Sequence, residues 1–195
     1  MDNVYVYLDA GYLSKIKEYF YGKHPKKYCI KQFANTLAKS KGYWCKKAFF
    51  YIGEPYQSPS HPSEKDIERR QRHNSFIKKI EKIPDLVIRQ GRCQKDDDGG
   101  YHQKGVDTLL TMDLFALQDP RDNPDGIKTI IVLICDTDFV PILKKLKTEY
   151  RINVIVAFFS DFKRGSDFSM SNHLWDIADD TILVGKDFFE MSFRE

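Results

Sequence analysis

Four aspartates in three separate stretches of the chain follow predicted strands or open predicted helices. Asp136 and Asp138 come directly after the apolar run from Ile130 to Ile134, Asp9 ends the first apolar stretch, and Asp107 opens a helical pattern. Several carboxylates gathered at one place repel one another unless a cation lies among them. These residues therefore predict a site for Mg²⁺ or Mn²⁺, which prefer oxygen ligands.

A divalent cation held by carboxylates suits the hydrolysis of phosphodiester bonds. Such a cation lowers the pKa of a bound water and offsets the negative charge of the phosphate, so that no Cys or Lys nucleophile is needed. Each acid by itself has a simpler explanation: Asp9 and Asp138 suit helix caps, and Asp107 suits the first turn of a helix. The metal hypothesis therefore depends on the four acids taken together. Asp113 points to a different side of the helix from Asp107. It is a candidate either for the site itself or for a supporting position beside it.

The elements that must bring these acids together alternate regularly between strands and helices. A run that is apolar at every position is typical of a strand buried on both faces of a parallel sheet. The pattern predicts strands at 4–9, 46–53, 86–93, 130–134, 152–159 and 181–184, and helices at 13–22, 30–41, 64–82, 106–117, 139–150 and 172–177. We expect an α/β fold, a Rossmann-like three-layer sandwich with a mainly parallel central sheet. If the first strand neighbours the 130–134 strand, the acids meet at one sheet edge.

Length and composition exclude several kinds of protein. The chain has 195 residues, which suits one domain over 1–195, and its formal net charge of +3 does not by itself require a nucleic-acid partner. No apolar run reaches the roughly 18 residues of a membrane span, and no signal-peptide pattern is seen, so a cytoplasmic location without membrane contact is expected. Four widely spaced cysteines argue against zinc and disulfides. No nucleotide-cofactor motif is present.

Basic side chains near the acids are candidates for contacts to a phosphate backbone. Lys104 precedes Asp107 by three residues, and further basic residues belong to the third strand and to the loop after the fifth. The candidates are Lys104, Arg92, Arg89, Lys163 and Arg164. The 64–82 helix also carries basic residues around Phe76, but a solvated face with this ring packed inward is the favoured interpretation.

Three short motifs in the same order resemble those of the NYN family, the LabA-like branch of the PIN nuclease superfamily. They are Asp9-Ala10-Gly11-Tyr12-Leu13, Lys104-Gly105-Val106-Asp107 continuing to Leu110 and Asp113, and Cys135-Asp136-Thr137-Asp138-Phe139-Val140-Pro141. The resemblance covers essentially the whole chain. It departs from the family at Tyr12, where many members have Asn, and at Ile134-Cys135, which replaces Ser-Gly.

The resemblance implies a PIN-like fold and a metal-dependent endoribonuclease that acts on single-stranded or structured RNA. It also implies that Asp9, Asp107, Asp136 and Asp138 bind Mg²⁺ or Mn²⁺ and are catalytic. Asp113, Lys104, Tyr12 and Thr137 would be accessory residues. A homodimer is left open.

Two other functions compete with this hypothesis. An RNA-binding or adaptor module with the same fold and little or no catalysis is favoured by the changes at Tyr12 and Cys135. A nucleotide-sugar glycosyltransferase would use Asp136-Thr137-Asp138 as an Asp-x-Asp metal motif. The short chain argues against the glycosyltransferase, which also leaves Asp9 and Asp107 unexplained.

Overall fold

The computed structural model describes residues 1–22, 27–56, 58, 61–95, 101–161, 168–169 and 171–193. Strands and helices alternate through these residues, as the sequence pattern predicts. The strands are β1 (Asn3–Asp9), β2 (Trp44–Gly53), β3 (Leu86–Lys95), β4 (Tyr101–Lys104), β5 (Thr129–Leu133), β6 (Asn153–Phe158) and β7 (Asp180–Leu183). The helices are α1 (Ala10–Tyr21), α2 (Ile30–Ser40), α3 (Glu64–Ile80), α4 (Val106–Ala116), α5 (Val140–Tyr150), α6 (Asn172–Ile177) and α7 (Lys186–Glu190).

These strands form a single sheet in the order β4-β3-β2-β1-β5-β6-β7. All neighbours pair in parallel except β4, which runs antiparallel to β3 at one edge. The chain moves outward from β1 to β3 and then returns to β5, on the other side of β1. In open α/β sheets, ligands bind at the carboxyl end of the strands where the order reverses. The predicted adjacency of the first strand and the 130–134 strand is confirmed, with Tyr5 opposite Ile130 and Leu8 opposite Leu133.

Strand alternation divides the core into two layers, one on each face of the sheet. In β1, Val4, Val6 and Leu8 pack against α1, α2, α3 and α7, whereas Tyr5 and Tyr7 face α4, α5 and α6. In β5, alternate apolar residues likewise join the two layers. All of these side chains are almost fully buried. The predicted three-layer sandwich with a mainly parallel sheet is therefore confirmed.

A close backbone approach places the start of α4 over β3. A Cβ atom on Gly91 would lie 2.6 Å from Cγ2 of Val106 and 2.8 Å from the carbonyl oxygen of Lys104. Gly105, the N-cap of α4, has φ 83°, a left-handed conformation that glycine adopts without a steric cost. The two glycines together allow the chain to leave β4 and begin α4 directly above β3.

The structure differs from the sequence-based expectations at β4 and at the start of α5. β4 was not predicted, because Tyr101–Lys104 is short and polar, and such edge strands carry little periodicity. The turn predicted around 95–100 lies largely outside the described residues. A 3-10 turn, Thr137–Phe139, precedes α5, so the α-helix begins one residue later than predicted. None of the helices described is both long and apolar enough to cross a membrane.

The first prediction concerns Gly91. Replacing Gly91 with alanine should lower the free energy of unfolding by about 1–3 kcal/mol, because the added methyl must displace Val106 or the backbone of Lys104. Urea denaturation would measure the change. Gln94→Ala is the control: Gln94 is exposed on the same strand, so the change should stay within about 0.5 kcal/mol. Equal stability of the two variants would contradict the close approach.

Candidate active site

Asp9 is fixed at the junction of β1 and α1. It is the last residue of the strand and the N-cap of the helix, and its Oδ1 accepts hydrogen bonds from the backbone N–H groups of Gly11 at 2.7 Å and Tyr12 at 3.3 Å. The carboxylate is half-buried. Asp9 therefore has both of the positions that the sequence suggested: it caps a helix and lies at the end of a strand.

Asp136 lies three residues beyond the end of β5, at the same edge of the sheet as Asp9. Its Oδ1 accepts a hydrogen bond of 2.9 Å from the backbone N–H of Asp138, so it caps the 3-10 turn. The sequence suggested Asp138 as the helix cap, and this is wrong. The chain turns before Asp138, and the side chain that caps the turn is that of Asp136. Both acids are exposed, and the buried residues Ile134 and Phe139 anchor the segment on either side.

Asp107 occupies the first turn of α4 and is exposed to solvent. Neighbouring protein atoms still remove part of the water around its carboxyl group, and this partial desolvation raises its pKa above the usual range. The charges of Asp136 and Asp138 raise the pKa further. Burial also raises the pKa of Asp9, and the charge of Asp107 adds to this effect, while the two backbone hydrogen bonds and Lys15 oppose it. Asp107 is therefore electrostatically coupled to all three other acids, and the four form one group at the switch point.

This group has the donor chemistry of a hard cation, although it is not a closed cage. All four side chains are carboxylates, and burial, with a further contribution from the neighbouring acids, raises the pKa of Asp9 and of Asp107. Within the described ranges, no three acidic, histidine or cysteine side chains are already spaced to enclose an ion. Mg²⁺ commonly binds through one or two carboxylates and keeps several waters. The open arrangement fits such an ion better than one enclosed by protein ligands.

Asp113 is engaged away from this group. Its carboxylate receives two hydrogen bonds from Arg89, at 2.8 and 2.9 Å, and one from the Tyr51 hydroxyl at 2.7 Å. Burial and the charge of Asp113 raise the pKa of Tyr51 well above its usual range. The three residues connect α4 to β3 and β2. Asp113 therefore holds the helix that carries Asp107, and Arg89, a candidate for RNA contact, is the partner of this acid.

Tyr12 belongs to the core. It is 2% exposed, and its hydroxyl accepts a hydrogen bond of 2.8 Å from the backbone N–H of Phe159, just beyond β6. Burial raises the pKa of this phenol. Thr137 is exposed between Asp136 and Asp138, and Cys135 is half-buried before them. Of the two positions that depart from the family motif, Tyr12 has thus become structural.

Two residues near the acids were missed by the sequence analysis. Asp161 lies three residues beyond β6, the same offset that Asp136 has from β5, and it is 7% exposed. Its carboxylate accepts a hydrogen bond from the Tyr19 hydroxyl at 3.4 Å, and its backbone N–H donates to Ser169. The strand-end rule applied to β6 would have found it. Lys15, on α1, lowers the pKa of Asp9 by its charge.

The basic residues proposed to contact RNA lie in different parts of the structure. Lys104 and Arg92 are exposed on β4 and β3, beside the start of α4. Lys163 and Arg164 lie outside the described residues, so their proposed role stays a prediction. Phe76 on α3 is 38% exposed and meets Phe50 edge-to-face at 6.5 Å, so its ring packs only partly into the core.

The second prediction follows from the raised pKa of Asp9. A carboxyl whose pKa is higher in the folded than in the unfolded state adds stability below the unfolded pKa, and this stability is lost as the pH rises through the folded pKa. Asp9→Asn removes the charge and keeps a good helix cap. We expect a higher melting temperature than the wild type at pH 7, and a gain that disappears below about pH 4.

Asp2→Asn is the matched control, since Asp2 is exposed at the opposite end of β1. It should leave the melting temperature unchanged at both pH values. A stabilisation of the same size in the two variants would show that total charge, rather than crowding at the acidic edge, is responsible.

The third prediction separates a supporting role of Asp113 from metal binding. Asp113→Asn should lower the free energy of unfolding by about 1–2 kcal/mol, a figure reduced for the 41% exposure of the Arg89 side chain. Urea denaturation should give the same loss in Mg²⁺ and in EDTA. Asp176→Asn, an exposed acid on α6, is the control and should cost little. A loss seen only in Mg²⁺ would instead make Asp113 a metal ligand.

Comparison with known proteins agrees with this fold. The NYN domain family model matches residues 2–184. A solved structure of a protein of unknown function from Vibrio parahaemolyticus is similar, with a TM-score of 0.53 and 16% identity over 96% of this chain and 95% of that one. No curated protein matches this chain. With its PIN-like fold and a family match over nearly its whole length, the chain belongs to the NYN domain family.

Proposed function

We propose that this chain is a metal-dependent endoribonuclease of the LabA-like branch, which hydrolyses RNA phosphodiester bonds in the cytoplasm. The observation that carries the proposal is the coupling of Asp107 to Asp9, Asp136 and Asp138 across the switch point of the sheet. A sheet edge that gathers uncompensated carboxylates is destabilising in the absence of a cation. Its retention is best explained by the chemistry that such a cation permits.

In this proposal the four aspartates hold Mg²⁺ or Mn²⁺. The bound cation would polarise the phosphate and lower the pKa of a water molecule. The protein itself positions the catalytic carboxylates. Backbone N–H groups orient those of Asp9 and Asp136, so that little reorganisation is needed when substrate binds. The orientation of these two groups is set by the peptide backbone, which side-chain motion does not disturb.

Asp107 is the acid that we assign to proton uptake from the attacking water. It is exposed, so a water can reach it, and a carboxylate that holds the cation through one oxygen keeps the other oxygen free to accept a proton. As the water oxygen bonds to phosphorus, its proton passes to the Asp107 carboxylate, the bond to the leaving ribose oxygen breaks, and this oxygen takes up a proton from solvent. Lys104, three residues earlier and also exposed, offsets the repulsion between the phosphate and the acids.

An RNA-binding module without turnover is the second candidate. It is favoured by Tyr12, which stands where many family members have an asparagine and whose hydroxyl is committed to Phe159 in the core. The open spacing of the acids is also compatible with weak metal binding. Retained RNA affinity without cleavage in any of several divalent metals would support this alternative.

The fourth prediction tests catalysis directly. Purified protein should cleave RNA in Mn²⁺ or Mg²⁺, and Asp136→Asn should reduce the rate by more than about a hundredfold, because residues that only support a metal ligand already cost 10- to 100-fold. Asparagine can still cap the 3-10 turn, so the fold should persist. Gel analysis of a labelled RNA would measure the cleavage.

Asp2→Asn is the control for charge and should cleave at the wild-type rate. Cleavage that survives both EDTA and Asp136→Asn would refute the proposal and point to a contaminating nuclease or to a site elsewhere on the chain.

A further inference from the structure

Two cations face each other across the β3–β4 hairpin. Arg92 is paired with Lys104 in the antiparallel register. Residues directly opposite in such a pair lie on the same face with Cβ atoms about 5 Å apart, and like charges in this position are destabilising. Both residues are exposed. Among the ion pairs formed by described residues, none includes either of them.

The pair lines an open cavity of about 430 Å³ at the start of α4, which Glu54 also lines. Gly91 of β3 and Gly105 and Thr108 at the start of α4 also line this cavity. Asp107 lies on the same first turn of the helix. An anion held between the two cations would therefore lie next to the proposed catalytic edge.

The cavity continues toward α3. Arg92 and Glu54 also line a second cavity of about 430 Å³, together with Arg70 and Pro55. Glu54 is paired with Arg70 at 2.8 Å, so the carboxylate that lines both cavities is already engaged by another cation. The two adjoining cavities form a groove, with Arg92 where they meet.

We propose that Arg92 and Lys104 form a clamp for one backbone phosphate of an RNA strand, and that this strand leaves the acidic edge through the groove toward Arg70. The inference rests on the proposed function and deepens it. A bridging phosphate accepts hydrogen bonds from both cations and removes their repulsion, and a guanidinium can bind it through two N–H groups. The clamp recognises charge and not base identity, so it fixes the direction of the strand without selecting its sequence.

Arg92→Glu tests the clamp while preserving the fold. A glutamate opposite Lys104 forms a favourable cross-strand pair, so the variant should melt at or above the temperature of the wild type. Its affinity for a labelled single-stranded RNA should fall by more than tenfold. Arg92→Gln should weaken binding about tenfold and lower the salt dependence, d log K/d log[salt], by about 0.7 in magnitude. Fluorescence anisotropy in the Asp136→Asn background with Mg²⁺ would measure binding without turnover.

Lys128→Glu is the matched control. Lys128 is exposed directly before β5, at the edge of the sheet opposite the acids, and among the described residues only its carbonyl oxygen takes part in a hydrogen bond. This charge reversal should change RNA affinity less than threefold. Equal losses in the two reversals, or no loss in Arg92→Glu, would overturn the clamp.

The outcomes separate the clamp from the nuclease. RNA binding that depends on Arg92, in a protein that cleaves nothing, would support the clamp and refute the enzyme. Cleavage by Arg92→Glu with an unchanged KM would refute the clamp and leave the enzyme standing. Displacement of RNA by polyglutamate at equal charge concentration would also overturn the proposal, because it would point to an acidic peptide as the ligand.

Discussion

Mutual repulsion of carboxylates at one edge of the sheet is the constraint around which this molecule is built. Asp9, Asp107 and the Asp136–Asp138 pair would separate if they were carried on flexible segments. They are instead attached to β1 and β5, whose apolar residues are buried on both faces, and to the first turn of α4. Hydrophobic burial, at roughly 25 cal/mol per Å², supplies the free energy that keeps these charges together.

Two acids on α4, Asp107 and Asp113, lie in opposed electrostatic environments. The first turn of this helix presents Asp107 to three other acids, whereas Asp113 is neutralised by Arg89 and hydrogen-bonded by Tyr51. The compensated acid ties the helix to β2 and β3, and the uncompensated one remains exposed to solvent. Gly91 completes the arrangement, because any larger residue there would force the helix start away from β3.

The sequence predicted the central part of the fold because continuous apolar runs such as 130–134 have few alternatives to a buried parallel strand. The convergence of Asp9 and Asp136 followed from strand adjacency alone. The partner of Asp113 could not be predicted, since it depends on the rotation of α4 against strands that are distant in sequence. Neither could the cap at Asp136, which depends on where an extended segment turns. β4 was missed because its four polar residues are recognised only by their pairing with β3.

The hydrogen bond from the Phe159 N–H to the Tyr12 hydroxyl limits which side chains position 12 can carry. The bond connects the start of α1 to the end of β6, and the Tyr12 ring also packs edge-to-face against Phe168. Replacement of Tyr12 by asparagine would leave this buried amide without its partner and open a cavity the size of a phenol ring. The side chain at position 12 is therefore coupled to the aromatic residues around it, so that a smaller residue there would need compensating changes in the core.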